Sequence, residues 1–249
     1  MNRHERRKQK KEGLNTSALQ GELLKAIQFH MNRNFNNAET LYQSIIAREP
    51  NNYDALRHIG ILKQDLGNYE DAYNYYIRCI KIRPNGFEAL NNLGAIHVRN
   101  KNYTLAQKCF EKANSINKDY VPVINNLASL FHKIQNKESA LEFSSMALKL
   151  QPDNTITKNQ YAKALILNSQ LDEAIGILEQ SIKDNPNDND TALNLSTAYK
   201  EQGDFKKANI IIEKLFNNDF KTIKNLVAFT GSKENKLQSS QIGYYQDLL

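Results

Sequence analysis

Residues 51–84 read NNYDALRHIGILKQDLGNYEDAYNYYIRCIKIRP, and this stretch decides the fold because the rest of the chain repeats it. Leu56, Ile59, Gly60 and Leu62 recur at helical spacing, Gly67 and Asn68 interrupt the pattern, and Tyr69, Ala72, Tyr76 and Cys79 resume it. Pro84 then closes the stretch, since proline cannot continue a helix. Ala72 is one rung of a ladder, Ala38, Ala72, Ala106, Ala140, Ala174 and Ala208, each 34 residues after the last. Pro50, Pro84, Pro152 and Pro186 keep the same register or its double, and Ala26, Gly60, Gly94, Ala128, Ala162 and Ser196 form a second ladder of small residues. A fixed period of this length marks an array of six helix-turn-helix repeats that bury their core against one another.

Each small residue has a mechanical reason. Antiparallel helices approach closely only where side chains shrink, so Gly60 and Ala72 mark the crossing within a repeat, and Cys79 marks where the next repeat presses in. The Cys79 position holds Ala113, Ala147 and Ser181 further along, but Ile45 in the first repeat and Leu215 in the last. That difference reads as end repeats that lack a regular neighbour. At the start, Ser17 and Gln20 form a capping box, Leu19, Leu23, Ala26, Ile27 and His30 follow at helical spacing, and Asn34 to Asn37 break the run before Ala38, Leu41, Tyr42 and Ile45. At the far end, Phe220, Ile223, Leu226 and Val227 make an apolar stripe opposite Lys221 and Lys224, which predicts a short capping helix over 221–231. Residues 232–249 follow as a tail whose Ile242, Tyr244, Tyr245, Leu248 and Leu249 either pack on that helix or lead into a further domain.

These residues resemble the tetratricopeptide repeat family. The third repeat, with Leu90, Leu93, Gly94, Tyr103, Ala106, Phe110 and Ala113, and the sixth, with Leu195, Ser196, Tyr199, Gly203, Phe205 and Ala208, follow that family's signature in spacing and type, and the resemblance covers residues 19–222. Departures are Lys118 and Phe220 where proline is expected, and Ser144 in place of an aromatic, which should loosen two repeat ends and one packing contact. The resemblance implies an all-α, right-handed α-solenoid of six repeats over 17–220, with the capping helix added.

The net charge of +6 is concentrated at the N-terminus: six basic side chains against Glu5 and Glu12 leave +4 within the first twelve residues. Residues 1–16 therefore read as a disordered basic arm. Contact with nucleic acid or an anionic membrane through residues 3–11 is a lesser reading than a solvated tail, and the nearly balanced remainder argues against a basic nucleic-acid groove. No apolar run approaches the roughly 18 residues of a membrane span, and the basic start has no apolar signal region, so the expected compartment is the cytoplasm. Cys79 and Cys109 lie in different repeats and read as buried thiols. His4, His30, His58, His97 and His132 have no metal-ligand spacing, and no phosphate loop, dinucleotide fingerprint or nucleophile elbow occurs. Asp184 to Asp190 mimics a calcium loop but lacks its glycine and has Leu195 where a bidentate Glu belongs, which makes it an inter-repeat turn with helix caps. The expectation is a protein with no catalytic residue, metal or cofactor, and self-association stays open.

The family resemblance implies that the first helix of each repeat lines an inner, concave face. Two residues before each small residue of the second ladder stand His58, Asn92, Asn126, Gln160 and Asn194, with Asn91, Asn125 and Asn159 beside three of them. An amide offers both donor and acceptor, so such a row can grip the backbone of an extended peptide. The competing reading is a row of solvated side chains in an Asn-rich chain. The row resembles the asparagine ladder in the repeat region of O-linked N-acetylglucosamine transferases, which implies peptide capture. The dicarboxylate clamp of chaperone adaptors is not matched, since the corresponding positions hold Asp54, Arg57, His58 and Ile61, then Glu88, Asn91, Asn92 and Ala95. The reading is a protein-protein interaction scaffold holding a peptide or partner segment in its groove. Its alternative is the substrate-recruiting module of a transferase whose catalytic domain is absent from this chain.

Overall fold

The structure is a computed structural model that describes residues 18–215. These fold into α1 (18–31), α2 (Phe35–Arg48), α3 (Tyr53–Asp65), α4 (Tyr69–Ile82), α5 (Phe87–Arg99), α6 (Tyr103–Ile116), α7 (Val121–Lys133), α8 (Lys137–Leu150), α9 (Thr155–Leu167), α10 (Leu171–Asp184), α11 (Asn189–Gln202) and α12 (205–215). No strand occurs among the described residues. They divide after Ile177 into two compact bodies. Ser17, the basic arm, the 221–231 helix and the 232–249 tail of the sequence reading lie outside the described residues.

One turn, repeated six times, joins the first helix of each repeat to the second. Arg33, Gly67, Lys101, Gln135, Ser169 and Gly203 all take a positive φ, between 57° and 89°, and are 34 residues apart. The residue after each donates its backbone N–H five residues back, as Asn34 does to Phe29 O at 2.8 Å, Asn102 to His97 O at 2.8 Å and Asn136 to Phe131 O at 2.9 Å. This is the Schellman closure, which satisfies two carbonyls left open at a helix end but forces a left-handed residue. Glycine is free there; the other four residues are held in place by the turn. The first of these turns lies at residues 32–34, so Asn36 and Asn37, expected in a break, are already helical in α2.

Proline turns out not to set the break between repeats. The residues closing α2, α4, α6 and α8, namely Glu49, Arg83, Asn117 and Gln151, share nearly one backbone conformation, and each N–H bonds the carbonyl four residues back. Asn117 does so although Lys118 stands where proline was expected; the bonds that follow, Tyr120 N to Asn117 O and Ile124 N to Tyr120 O, are both 3.4 Å, against 3.0 and 3.1 Å at the break that contains Pro50. Asparagines cap α3 and α9, where Asn52 accepts from Ala55 N at 3.0 Å, and Asn154 from Ile156 N at 2.8 Å and Thr157 N at 3.3 Å, whereas Gly86 and Tyr120 stand before α5 and α7 with no side-chain cap. Asp188 caps α11 in the same way through Asp190 N and Thr191 N, so the Asp184 to Asp190 stretch does contain a helix cap.

From α2 to α9 each helix packs on the next. Ala38, Ala72, Ala106, Ala140 and Ala174 are fully buried in the first body. The close approach of helix pairs involves a different partner from the one expected: a Cβ on Gly60 would lie 2.6 Å from the Tyr76 ring, and one on Gly94 2.5 Å from the Phe110 ring. Ala72 packs with Tyr76 and with Leu93 and Ile96 of the next repeat. Where the fourth repeat has Ser144 in the aromatic position, Ser144 is buried with its Oγ donating to Leu141 O, and Phe143 stacks on Phe131 at 5.6 Å. Ile45 faces a regular neighbour after all, buried between Leu19 and Ala55, so its size does not mark an end of the array. Cys79 is buried against Tyr53, Leu56 and Ala89, where the next repeat presses in, while Cys109 is only half-buried.

First helices also touch across repeats: α5 packs on α7 and α7 on α9, whereas none of α2, α4, α6 and α8 packs to that extent on the next of its kind. The first helices are therefore on the short-radius side, which makes their shared face the inner one. In the second body, Ser196 Oγ of α11 donates to Ala208 O of α12 at 3.2 Å, and Tyr199 bonds Glu179.

Candidate functional site: the inner face of the first helices

Side chains on the inner face of the first body meet at a sequence offset of 35, one residue more than the repeat. His30 Nε2 is 2.8 Å from Asp65 Oδ2, which ties α1 to α3. Asn126 Nδ2 donates to Asn91 Oδ1 at 2.7 Å, which ties α7 to α5. The extra residue arises because neighbouring first helices are slightly rotated, so a residue lies across from the one that follows its repeat equivalent. Only a three-dimensional stack defines this offset.

At the α1–α3 end the face is aromatic. The Tyr42 and His58 rings stack at 6.1 Å with their planes 9° apart, and His30 meets Phe35 and Tyr42 edge-on. Arg57 Nη2 lies 2.9 Å from His58 Nε2. Burial, and secondarily the charges of Arg57 and His30, push His58 down to about 4, so it is neutral at pH 7. Burial likewise pushes Tyr42 up to about 12. His58 is thus wedged between a ring and a guanidinium, and serves as a packed side chain more than an open groove contact. One repeat on, the Tyr76 hydroxyl donates to Gln64 Oε1 at 3.2 Å, and Asn92 bonds the same hydroxyl.

The amide row divides by burial. Asn91 and Asn159 are each 7% exposed, while Asn92, Asn125, Asn126 and Gln160 are half-buried. Asn91 receives the Asn126 amide and lies beside Asn92, so these side chains form an internal link as well as a surface. Asn125 is different: its Oδ1 is buried and accepts nothing from the described residues. Gln160 of α9 is the residue at the offset of 35 from it. Asn194 belongs to the second body, where its Nδ2 is buried without a partner among the described residues. The structure thus brings Asn91, Asn92, Asn125, Asn126, Asn159 and Gln160 onto neighbouring helices, sets His58 apart in an aromatic cluster, and leaves Asn194 to be described separately. The 34-residue period pointed to the row; of the residues it missed, Asp65 would have emerged from an offset of 35, whereas Tyr42 and Tyr76 meet His58 and Gln64 at shorter separations that only the packed helices define.

Among the described residues no group of three or more His, Cys, Asp or Glu is placed to hold a metal ion, and no helix is long and apolar enough to cross a membrane. Family models described as tetratricopeptide repeat match residues 53–85, 87–120 and 165–228, together more than half of the sequence. The chain belongs to the tetratricopeptide repeat family. Solved tetratricopeptide structures share its fold. PilW, a widely conserved type IV pilus biogenesis factor, superposes with a TM-score of 0.72 at 18% identity, covering 81% of this chain and 93% of PilW. A tetratricopeptide repeat protein from Parabacteroides merdae ATCC 43184 gives 0.66 at 18% identity, covering 81% of this chain and 80% of that one. YrrB, a tetratricopeptide protein with an unusual peptide-binding site, gives 0.57 at 19% identity, covering 76% of this chain and 97% of YrrB. At these identities the likeness concerns the fold alone. No curated protein matches the sequence.

Proposed function

We propose that this tetratricopeptide chain is a protein-interaction module that holds an extended peptide along the inner face of α5, α7 and α9. The observation that carries the reading is the Asn125 carboxamide of α7, whose Oδ1 is buried with no partner among the described residues; Gln160 stands from it at the offset of 35 that joins Asn91 to Asn126. A buried acceptor left open costs about 1–3 kcal/mol, and a peptide N–H laid along the groove would satisfy it. Asn92 and Asn126, although engaged on one side, each keep further amide valences for a main chain. That a tetratricopeptide protein of the same fold, YrrB, has a peptide-binding site supports the mode of binding and says nothing of the ligand.

The test is selection of binders from a phage-displayed random nonapeptide library on the full chain, followed by calorimetry with one selected peptide. Replacing Asn125 and Gln160 together by Ala should leave the circular dichroism spectrum unchanged and weaken the peptide roughly five- to a hundredfold, the range for two amide contacts. Equal affinity for wild type and double variant would remove the amide row from the binding site.

A further inference from the structure

In the second body a pocket opens between the last described helices, lined by Ile182, Asn189, Ala192, Ile211 and Leu215 among others. Each of these five stands four repeats after a member of one buried cluster earlier in the chain, Ile46, Tyr53, Leu56, Tyr75 and Cys79. Ala89 of α5, the first helix of the following repeat, completes that cluster. The same arrangement recurs at other breaks, where Ile45 is buried with Ala55 and Ala113 with Val123, so that the end of a second helix is covered by the first helix after it. At the pocket the place of Ala89 falls on Asn225, outside the described residues.

The residues around Asn225 keep the register. Thr222 holds the position from which Asn52, Asn154 and Asp188 cap their helices, and threonine is itself a favoured cap. Ile223, Leu226 and Phe229 hold the positions of Tyr53, Leu56 and Ile59 on α3 and of Val121, Ile124 and Leu127 on α7, all of them buried. Phe220, counted above in the apolar stripe, falls instead in the break, at the place of Pro50. The pocket differs from the earlier cluster in the way this segment requires. Asn189 and Ala192 stand where α3 has Tyr53 and Leu56, which leaves room for an Asn in place of Ala89, and Leu215, larger than Cys79, takes up part of that room. Asn189 and Lys214 make part of the lining polar, which suits an amide better than the alanines of the earlier breaks.

We propose that residues 222–230 form a seventh first helix seated in this pocket, with Ile223, Leu226 and Phe229 as its buried side chains. The occupant is the chain's own segment and not a second copy. The join from Leu215 to Ile223 is as long as that from Cys79 to Phe87, and such a short tether holds the segment at an effective concentration of about the millimolar range. Leu215 is then an ordinary repeat end, as Ile45 is. With Val227 and Ala228 at the register of Asn125 and Asn126, this helix closes the array without extending the amide row.

Amide exchange of the full chain, read by mass spectrometry, should show 223–230 protected by about tenfold or more, equally at low and high protein concentration, since burying even one such side chain supplies that much. Leu226→Asp should remove this protection and speed exchange in α12 by about tenfold, while α3 to α5 keep their rates, because neighbours in an array couple locally. Ile211→Asp, on the pocket wall, should release 223–230 without touching the segment. Lys224→Asp, at the register of the exposed Asp54, is the control and should change nothing. Cross-linking needs no destabilised variant: in a Cys79→Ala/Cys109→Ala background, Leu215→Cys with Asn225→Cys should oxidise to a monomeric cross-linked chain, and Leu215→Cys with Lys224→Cys should not. Unprotected 223–230 in the wild type, or protection that survives both Leu226→Asp and Ile211→Asp, would overturn the proposal. Protection that rises with protein concentration, or a cross-link joining two chains, would assign the pocket to a second copy and overturn it as well.

Discussion

Replacing Asn126 by Ala tests whether the amide row is part of the fold as well as of the surface. Asn126 Nδ2 donates to Asn91 Oδ1 at 2.7 Å, and Asn91 is only 7% exposed, so water has little access to the acceptor once the donor is gone. An unsatisfied buried acceptor costs about 1–3 kcal/mol. Against this, Ala is the better helix former than Asn by about 0.5 kcal/mol. The net expectation is a loss of about 0.5–2.5 kcal/mol, although sequence reasoning alone suggests that such a variant is slightly firmer than wild type. Asn91→Ala should lose a similar amount, and the double variant should lose clearly less than the two losses added, with a coupling of about 1 kcal/mol. Repeat arrays hold together through nearest-neighbour contacts and need not unfold in one step, so urea melts should be accompanied by native-state amide exchange. The loss should show as faster exchange in α5 and α7. Gln160→Ala, which breaks no hydrogen bond identified in the structure, provides the contrast and should be neutral or slightly stabilising. Wild-type stability in Asn126→Ala, or strict additivity with Asn91→Ala, would show that the hydrogen bond does not hold these helices together.

Lys101→Gly and Gln135→Gly should each raise the urea midpoint by the equivalent of a few tenths to about 1 kcal/mol: a left-handed side chain costs about 1–2 kcal/mol, and glycine returns part of that as unfolded-chain entropy. Gly67→Ala should lower it by about 1 kcal/mol, and Lys101→Ala should be nearly neutral, which distinguishes backbone strain from the loss of the lysine. Acid should destabilise the protein through His58, whose value in the folded state is about 4 against 6.5 when exposed, so that the unfolded chain binds more protons between those values. The stability it contributes is complete above about pH 6.5 and is lost as pH falls toward 4, by at most about 3 kcal/mol. His58→Asn, the residue at the same register in the next two repeats, should flatten the dependence of the urea midpoint on pH between 7.5 and 4.5. An unchanged slope would mean that the His58 ring is not buried beside Arg57 as described.

The repeat itself was legible in the amino-acid sequence because each rung of a helical array faces the same packing problem. Ala38, Ala72, Ala106, Ala140 and Ala174 sit where no larger side chain fits, and so they recur at a period that can be counted. Helix boundaries, the glycine turn at Gly67 and the amide row all followed from that period. What the sequence could not supply was any relation that departs from it. Lys101, Gln135 and Ser169 carry no mark of the left-handed conformation that Gly67 and Gly203 advertise, because the turn imposes it through backbone hydrogen bonds that any residue can make. Lys118 gave no warning that a repeat would break without proline, since the closing residue Asn117 takes the same backbone conformation and makes the same backbone bond as Glu49 and Arg83. The contacts of His30 with Asp65 and of Asn91 with Asn126 lie one residue off the period, because the stacked first helices are rotated relative to one another. That rotation is a property of the packed array alone, and it decides which amides bond to one another and which acceptor is left open.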